Sequence, residues 1–434
     1  MCKYRIIQSK LRCRRLGILT VIITIVVVGR YMPPSFSGET SQCDCALESR
    51  TISEELAPQQ QSGLGSPQSL PHKNSPQLWT SLSTNILLDA VLEKKISRST
   101  RTAMSILLGM EWLDEAEFFK NHSVYFSSNQ IGSDFVMPRL LMGDTNRCGS
   151  DEPFLLMLVP SVGNDSVVRE AIRRTWASPA YPHFLKWPMG VNFTEKVKLV
   201  FVFGRNESLH NSKDTTLYTT TTTNNNNTLL MAEQQKYGDI VQYDFMDTYR
   251  NLTLKMMTAF HWMVNYCSKA TFVLKADMDT FVNVPLLSRL LRMVSRLSPR
   301  FVMGSSICNS TVLRSGKWLV NKKDYPLYKY PDYMVGHSYV ITGNVIPEML
   351  DLASQLPQMP IEDAFFTGVV AGMLHVPKLG VDVMAATQHS YNYCDMMKGK
   401  FASQTHFKNK TLWNAWDLAH TGQCGSYILA DDVL

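Results

Sequence analysis

No pair of cysteines in this sequence stands at metal-finger spacing, no basic surplus exists beyond its first fifteen residues, and no small-x-small cleavage site follows its one long uncharged apolar run. The first absence argues against a zinc-finger module and leaves Cys43, Cys45, Cys148, Cys267, Cys308, Cys394 and Cys424 thinly spread, as expected where some pair oxidatively. The second disposes of a nucleic-acid-binding surface. The net charge of +6 is carried by Lys3, Arg5, Lys10, Arg12, Arg14 and Arg15, and the remainder is close to neutral. The third bears on the run Leu16 to Val28 (LGILTVIITIVVV), which is short for a membrane span of roughly 17 to 25 residues. A basic flank without a cleavage site predicts an uncleaved signal anchor over 16–30, with residues 1–15 cytoplasmic and everything downstream lumenal. With 45% hydrophobic and 18% charged residues among 434, the chain is not disordered in composition and is long enough for one large or two ordinary domains.

N-x-S/T sequons at Asn121, Asn164, Asn192, Asn206, Asn226, Asn251, Asn309 and Asn409 agree as a set with lumenal exposure, although any one of them matches by chance. Residues 31 to about 80 are rich in Ser, Pro, Gln and Gly and read as a stem. Helical patterning around Ile86 to Leu92 and Ile106 to Phe119 suggests an extension reaching residue 147, with the core domain spanning 148–434. Buried-strand runs occur at Pro153 to Pro160, Val197 to Gly204, Ile240 to Tyr243 and Thr271 to Lys275. They alternate with helical segments at Val167 to Trp176, Leu229 to Tyr237 and Leu252 to Tyr266, the pattern of an α/β fold. The tract Thr219 to Thr228 (TTTTTNNNNT) has no apolar residue and predicts a disordered surface insertion.

The third strand runs directly into Asp277 and Asp279, and the carboxyl edge of an open α/β sheet is where ligands bind. Alternate carboxylates there suit a hard divalent cation bridging nucleotide phosphates, or are simply two solvated aspartates in a loop. Context beyond the triplet is more specific. The stretches REAIRRTW (169–176), FVFG (201–204), YGDIVQYDFMDTYRNLTLK (237–255), KADMDTFVN (275–283), YPLYKYPDYMVGHSYVIT (325–342) and IEDAFFTG (361–368) resemble, in order and spacing, the β1,3-glycosyltransferases of glycosyltransferase family 31, especially the galactosyltransferase branch. The resemblance covers roughly two-thirds of the chain, from about Cys148 onward.

The resemblance implies a GT-A fold with a mixed, mainly parallel sheet, a UDP-sugar donor, a glycan acceptor on glycoprotein or glycolipid, Mn²⁺ as cofactor and, with the anchor, a Golgi membrane location. Asp279 is then the primary metal ligand, with Asp277 assisting through water or donor hydroxyls and Lys275 supporting the diphosphate. His406, in SQTHF, matches a family histidine and is either a third ligand or structural. Asp363 takes the role of general base, with Glu362 as second choice or hydroxyl-binding residue; the same pair also suits a helix N-terminus. Arg169 and Arg173, four apart on one helix face, bind phosphate or uracil, or else form a solvated face. Trp176 reads as core. Where relatives carry cysteine-x-glycine-x-glycine-tyrosine, this chain has Met334 to Tyr339 with Gly336 kept and Ser338 in place of the second glycine. A family disulfide is therefore in doubt and the pocket is reshaped beside His337. Ala364 replaces a common valine. The expected reaction is transfer of galactose, or of N-acetylglucosamine or N-acetylgalactosamine. A non-catalytic, chaperone-like member and a lumenal-domain receptor are the rival classes.

Overall fold

The computed structural model describes residues 110–127, 135–188, 193–205, 218–384, 394, 396 and 401–424, with only the backbone described for 218–227. The expected anchor and stem, and the helical patterning at 86–92, lie outside these residues. Among the described residues no helix is long and apolar enough to cross a membrane.

Among the described residues nine strands form one sheet: β1 (Glu111–Trp112), β2 (Leu140–Met142), β3 (Leu155–Pro160), β4 (Val197–Arg205), β5 (Ile240–Met246), β6 (Phe272–Ala276), β8 (Val302–Ile307), β9 (Tyr333–Thr342) and β10 (Lys378–Gly380). The short β7 (Phe281–Val282) and β11 (Ser403–Gln404) form a separate antiparallel ladder. The sheet order is β1-β10-β8-β9-β6-β3-β4-β5-β2. Strands β6, β3, β4 and β5 are a continuous parallel block, while β9 runs antiparallel between β6 and β8. The fold is thus mixed α/β with a mainly parallel sheet, as its buried-strand runs predict. Helices α1 (Ala116–Asn121), α2 (Ser166–Arg174), α3 (Tyr218–Tyr237), α4 (Leu252–Tyr266), α5 (Val284–Ser295), α6 (Ile346–Gln355) and α7 (Asn409–His420) connect and cover it.

Alternation along β3 shows why both faces are filled. Leu156 and Leu158 join one core with Met256, Phe260 and Trp262 of α4, whereas Leu155, Met157 and Val159 join another with Ile172 of α2 and Leu287 of α5. Each such side chain, fully buried, contributes about 1.5–3 kcal/mol, which is what continuous apolar strands between two helical layers provide. Trp176 is fully buried in the second core. α5 starts where it does because the Asn283 side chain accepts from the Leu286 amide at 3.1 Å and Pro285 occupies its first turn.

Two boundaries differ from expectation. The sheet recruits residues upstream of Cys148, since β1 pairs with β10 and β2 with β5; two- and three-residue strands carry too little periodicity to be read. The buried Lys378 ammonium clips this extension on, meeting Glu115 at 2.5 Å and donating to the Asp332 and Gly368 carbonyls. The Thr/Asn tract is helical as the first part of α3, not an irregular insertion: adding turns to a nucleus already fixed by 229–237 is far easier than starting one. Disulfides join Cys148 to Cys267 and Cys394 to Cys424. Met334, in the position of the absent family cysteine, is buried in the first core. One sequon is committed elsewhere, because the Asn251 amide donates to the Met246 carbonyl at 2.8 Å.

Candidate active site

The carboxyl ends of β3, β4 and β6 and the first half of β9 lie at one edge of the sheet. Past Ala276, the Asp277 amide donates to the His337 carbonyl (2.9 Å) and the Thr280 amide to the Asp277 carbonyl (3.0 Å), closing a turn that presents Asp277 and Asp279. The β7/β11 ladder then carries the chain back past the same point. The Phe407 amide donates to the Asp279 carbonyl at 2.7 Å, the Thr405 hydroxyl donates to Asp279 Oδ1 at 3.3 Å, and His406 Nδ1 lies 3.9 Å from Asp279 Oδ2. Nothing in linear spacing joins residues 279 and 406; a two-residue ladder does. His406 sits at φ 72°, a left-handed conformation uncommon for a residue with a side chain, and such geometry gathers at functional sites. Asp279 and His406 are exposed, and Asp277 beside them is part-buried. Among the described residues no three His, Cys, Asp or Glu side chains close around a metal position.

Behind this turn lies an ionic cluster. The Lys275 ammonium is buried and donates to Asp277 Oδ1 at 2.6 Å and to the Gly336 carbonyl, with Glu362 Oε2 at 3.7 Å. The Lys275 head is held between carboxylates on both sides. Burial alone would lower its pKa, but the charges of Asp277 and Glu362 hold it above the ordinary lysine range. Burial pushes Glu362 up to about 7 against the pull of Lys275, and burial also raises Asp363 and Asp277. The Tyr339 hydroxyl donates to Glu362 Oε1 inside the same cluster.

Glu362 is buried whereas Asp363 is half-exposed, so of the two only Asp363 is presented to a ligand. Its carboxylate accepts from the Ala364 amide at 2.9 Å and packs against the Gly336 backbone. It caps a π-helical turn, Ala364–Val370, an irregularity frequent at functional sites. Both readings of the acidic pair hold together: helix start and site. Gly336 is required here, since a Cβ would lie 2.8 Å from Asp363 Oδ2. Thr367 locks the arrangement, donating to the Asp363 carbonyl (2.6 Å) and accepting from the Met334 amide (2.9 Å). Ser338 does not need a glycine's freedom: it sits in regular β9 and its hydroxyl shares a 2.6 Å hydrogen bond with Ser403 of β11. His337 beside it is buried, and burial, with Lys275 and His406 nearby, drives its pKa down to about 3.

The two arginines are neither solvated nor available to a nucleotide. Arg169 donates to Glu233 through Nε (2.8 Å) and Nη2 (2.7 Å), and to Ser161 Oγ, Val162 O and Gly163 O. Arg173 forms a fork with Asp239 (2.7 and 2.8 Å), meets Glu233 at 2.7 Å and stacks over Tyr237. Arg169 braces the 161–163 turn after β3, and Arg173 ties α2 to Glu233 and Asp239. Sequence reasoning missed the partners Glu233 and Asp239 because they stand more than fifty residues away. It also missed Lys255, which ties the same edge by donating to Ser161 O (2.8 Å) and pairing with Asp247 (2.6 Å), whose other oxygen accepts from the Gly204 amide (2.9 Å). Lys255 and Asp247 fall inside the longest family-like stretch, which was the one signal available.

The sequence model of the family described as "Galactosyltransferase" matches residues 168–381, a span that takes in α2, the acidic turn and the π-helical turn. Beta-1,3-galactosyltransferase 5 of Pan troglodytes is 33% identical over 252 residues, 56% of this chain and 76% of the relative. Lactosylceramide 1,3-N-acetyl-beta-D-glucosaminyltransferase of Xenopus tropicalis is 28% identical over 259 residues, covering 59% and 64%. UDP-GalNAc:beta-1,3-N-acetylgalactosaminyltransferase 1 of Mus spicilegus is 28% identical over 246 residues, covering 55% and 67%. Given the extent of these matches across the acidic turn and both sides of the sheet edge, the chain belongs to the galactosyltransferase family, glycosyltransferase family 31.

Proposed function

We propose that the chain is an inverting, metal-dependent β1,3-galactosyltransferase that transfers galactose from UDP-galactose to a glycan on glycoprotein or glycolipid. The observation that carries the reading is the pairing of two chemically different acidic positions at one sheet edge: the open Asp277/Asp279/His406 corner and the half-buried Asp363, joined through Lys275 and Gly336. A mainly parallel sheet with its acidic turn at the carboxyl edge fits a GT-A nucleotide-sugar-binding domain.

Asp279, His406 and Asp277 offer carboxylate oxygens and an imidazole nitrogen, a donor set suited to Mn²⁺, and these residues would hold it. When bound, the cation neutralises charge growing on the departing diphosphate. Asp363 accepts the proton of the acceptor hydroxyl as that oxygen bonds to the anomeric carbon and the bond to UDP breaks on the opposite face. Lys275 fixes Asp277 and, through the Gly336 carbonyl, the strand whose backbone packs against Asp363. Relatives named for N-acetylglucosamine and N-acetylgalactosamine transfer keep those donors as the second reading. The intact acidic positions disfavour a non-catalytic member. The disulfides support an oxidising lumen, and with the basic-flanked apolar run at 16–30 they favour a single-pass Golgi membrane protein with its catalytic domain lumenal.

The test is UDP release by the purified full chain with Mn²⁺, offered UDP-galactose, UDP-N-acetylglucosamine and UDP-N-acetylgalactosamine with and without glycan acceptors. Release that needs galactose donor, acceptor and metal together supports the proposal; another preferred donor corrects the sugar, and binding of UDP without turnover of any pair favours the non-catalytic reading.

A further inference from the structure

Two large aromatic side chains are left open to solvent next to the acidic cluster. Tyr249, in the 3₁₀ turn Tyr249–Asn251 that joins β5 to α4, is 49% exposed, and Trp318, in the connection from β8 to β9, is 53% exposed. They belong to one patch although they stand far apart in the chain. The Lys317 ammonium joins them, lying 5.1 Å from the Tyr249 ring centre and 5.7 Å from that of Trp318. The Thr253 hydroxyl, one turn on from Tyr249, donates to the Met359 carbonyl at 2.6 Å, which brings the Tyr249 turn against the segment that leads into Asp363, and Tyr249 feels that carboxylate's charge.

Trp318 is not exposed because its loop is loose. Arg314 donates to the Val320 and Tyr325 carbonyls at 2.9 Å and to the Leu327 carbonyl at 2.8 Å, and the Thr311–Lys329 bridge closes the loop's base. Val312 and Val320 are anchored in the core on either side. A loop braced in this way holds an indole out in water when the same bracing would serve a polar residue as well. Rigid aromatic faces fixed beside a reactive group bind a flat apolar surface at small entropic cost. A pyranose presents such a surface on the face where its ring hydrogens gather, while its hydroxyls point outward to donors and acceptors.

We propose that Tyr249 and Trp318 form the acceptor platform, on which the terminal β-linked hexose or N-acetylhexosamine of the glycan stacks and so brings a ring hydroxyl to Asp363. The site is distinct from the Asp277/Asp279/His406 corner, and it rests on the transferase reading given above. It assigns the acceptor to a neutral sugar ring, not to a peptide or a lipid surface.

Methyl β-N-acetylglucosaminide and methyl β-galactoside serve as acceptor probes with the full chain. The wild type should bind at least one of them by saturation-transfer NMR. Trp318→Ala should raise the acceptor KM by about 10- to 30-fold, the range typical of truncating a central aromatic anchor, with UDP affinity and donor KM unchanged. Trp318→Phe and Tyr249→Phe, which keep an aromatic face, should each retain most of the acceptor affinity that their alanine counterparts lose. An unchanged acceptor KM in Trp318→Ala, or equal loss for donor and acceptor, would overturn the platform. Failure of the wild type to bind UDP would instead overturn the transferase reading, and the platform with it.

Discussion

Two buried ionic clusters flank the same sheet edge, and they are built on opposite rules. In the first, Arg169 and Arg173 face Glu233 and Asp239, so that cations and carboxylates balance and the forks are filled on both sides. In the second, the single ammonium of Lys275 is set against Asp277, Glu362 and Asp363, and burial raises all three acids. Balance and saturation mark a brace. Excess of one sign, held in place by protein groups yet opening to solvent at Asp277 and Asp363, is the arrangement that the proposed catalytic role requires. The sequence presents both clusters alike, as charged residues inside family-like stretches; only the partners tell them apart.

Substitution should separate the two clusters in kind. The largest effect is expected on the acidic side: Asp279→Ala should remove metal-dependent turnover while the melting temperature stays near that of the wild type, since Asp279 is exposed and its backbone carbonyl, not its side chain, holds Phe407. Metal-dependent turnover in that variant would remove Asp279 from the metal corner. Next, Arg173→Ala strands Asp239 without its partner and should cost about 3–5 kcal/mol of stability. Thermal unfolding reads that loss, while UDP affinity of the protein still folded at low temperature should persist. A stable Arg173→Ala chain that no longer binds UDP would return the arginine to the ligand.

A smaller effect follows from Glu362. Its folded pKa of about 7 lies above the ordinary carboxylate value of 4.5, so the folded state holds a proton that the unfolded state has released. Stability should therefore fall as pH rises through the window from about 4.5 to 7, and Glu362→Gln should flatten that slope. Glu115, also pushed up to about 7 by burial, adds a slope of the same sign, so the comparison must be wild type against Glu362→Gln and not against zero. An identical pH dependence of unfolding in the two chains would contradict the assignment of a raised carboxyl at 362. The smallest change in turnover is expected for Lys255→Met, which loses the Ser161 contact at the same edge and strands the buried Asp247, so that it also lowers stability; it should raise the donor KM more than it lowers kcat.

Much of this was legible in advance where neighbours in sequence are neighbours in space. Continuous apolar runs predict β3, β4 and β6, and the acidic turn follows from the last of them. Asp363 and Gly336 were singled out by resemblance, and the structure adds why each is needed: a Cβ at 336 would strike the carboxylate. What could not be read depends on distant partners. Lys275 was expected to support the diphosphate electrostatically because it stands close to the acidic pair in sequence; its partners Glu362 and the Gly336 carbonyl arrive only with β9 and the π-helical turn. The upstream strands β1 and β2 escaped because a two- or three-residue strand has no period to detect.

Whether the unbalanced cluster is the catalytic centre with Asp363 as its base is decided by acceptor-dependent UDP release at saturating UDP-galactose by the wild type and Asp363→Asn chains, with UDP affinity measured on the same samples. UDP affinity should be unchanged and turnover lower by about 10²–10⁴-fold in the variant; turnover within a few-fold of the wild type would rule out Asp363 as the base.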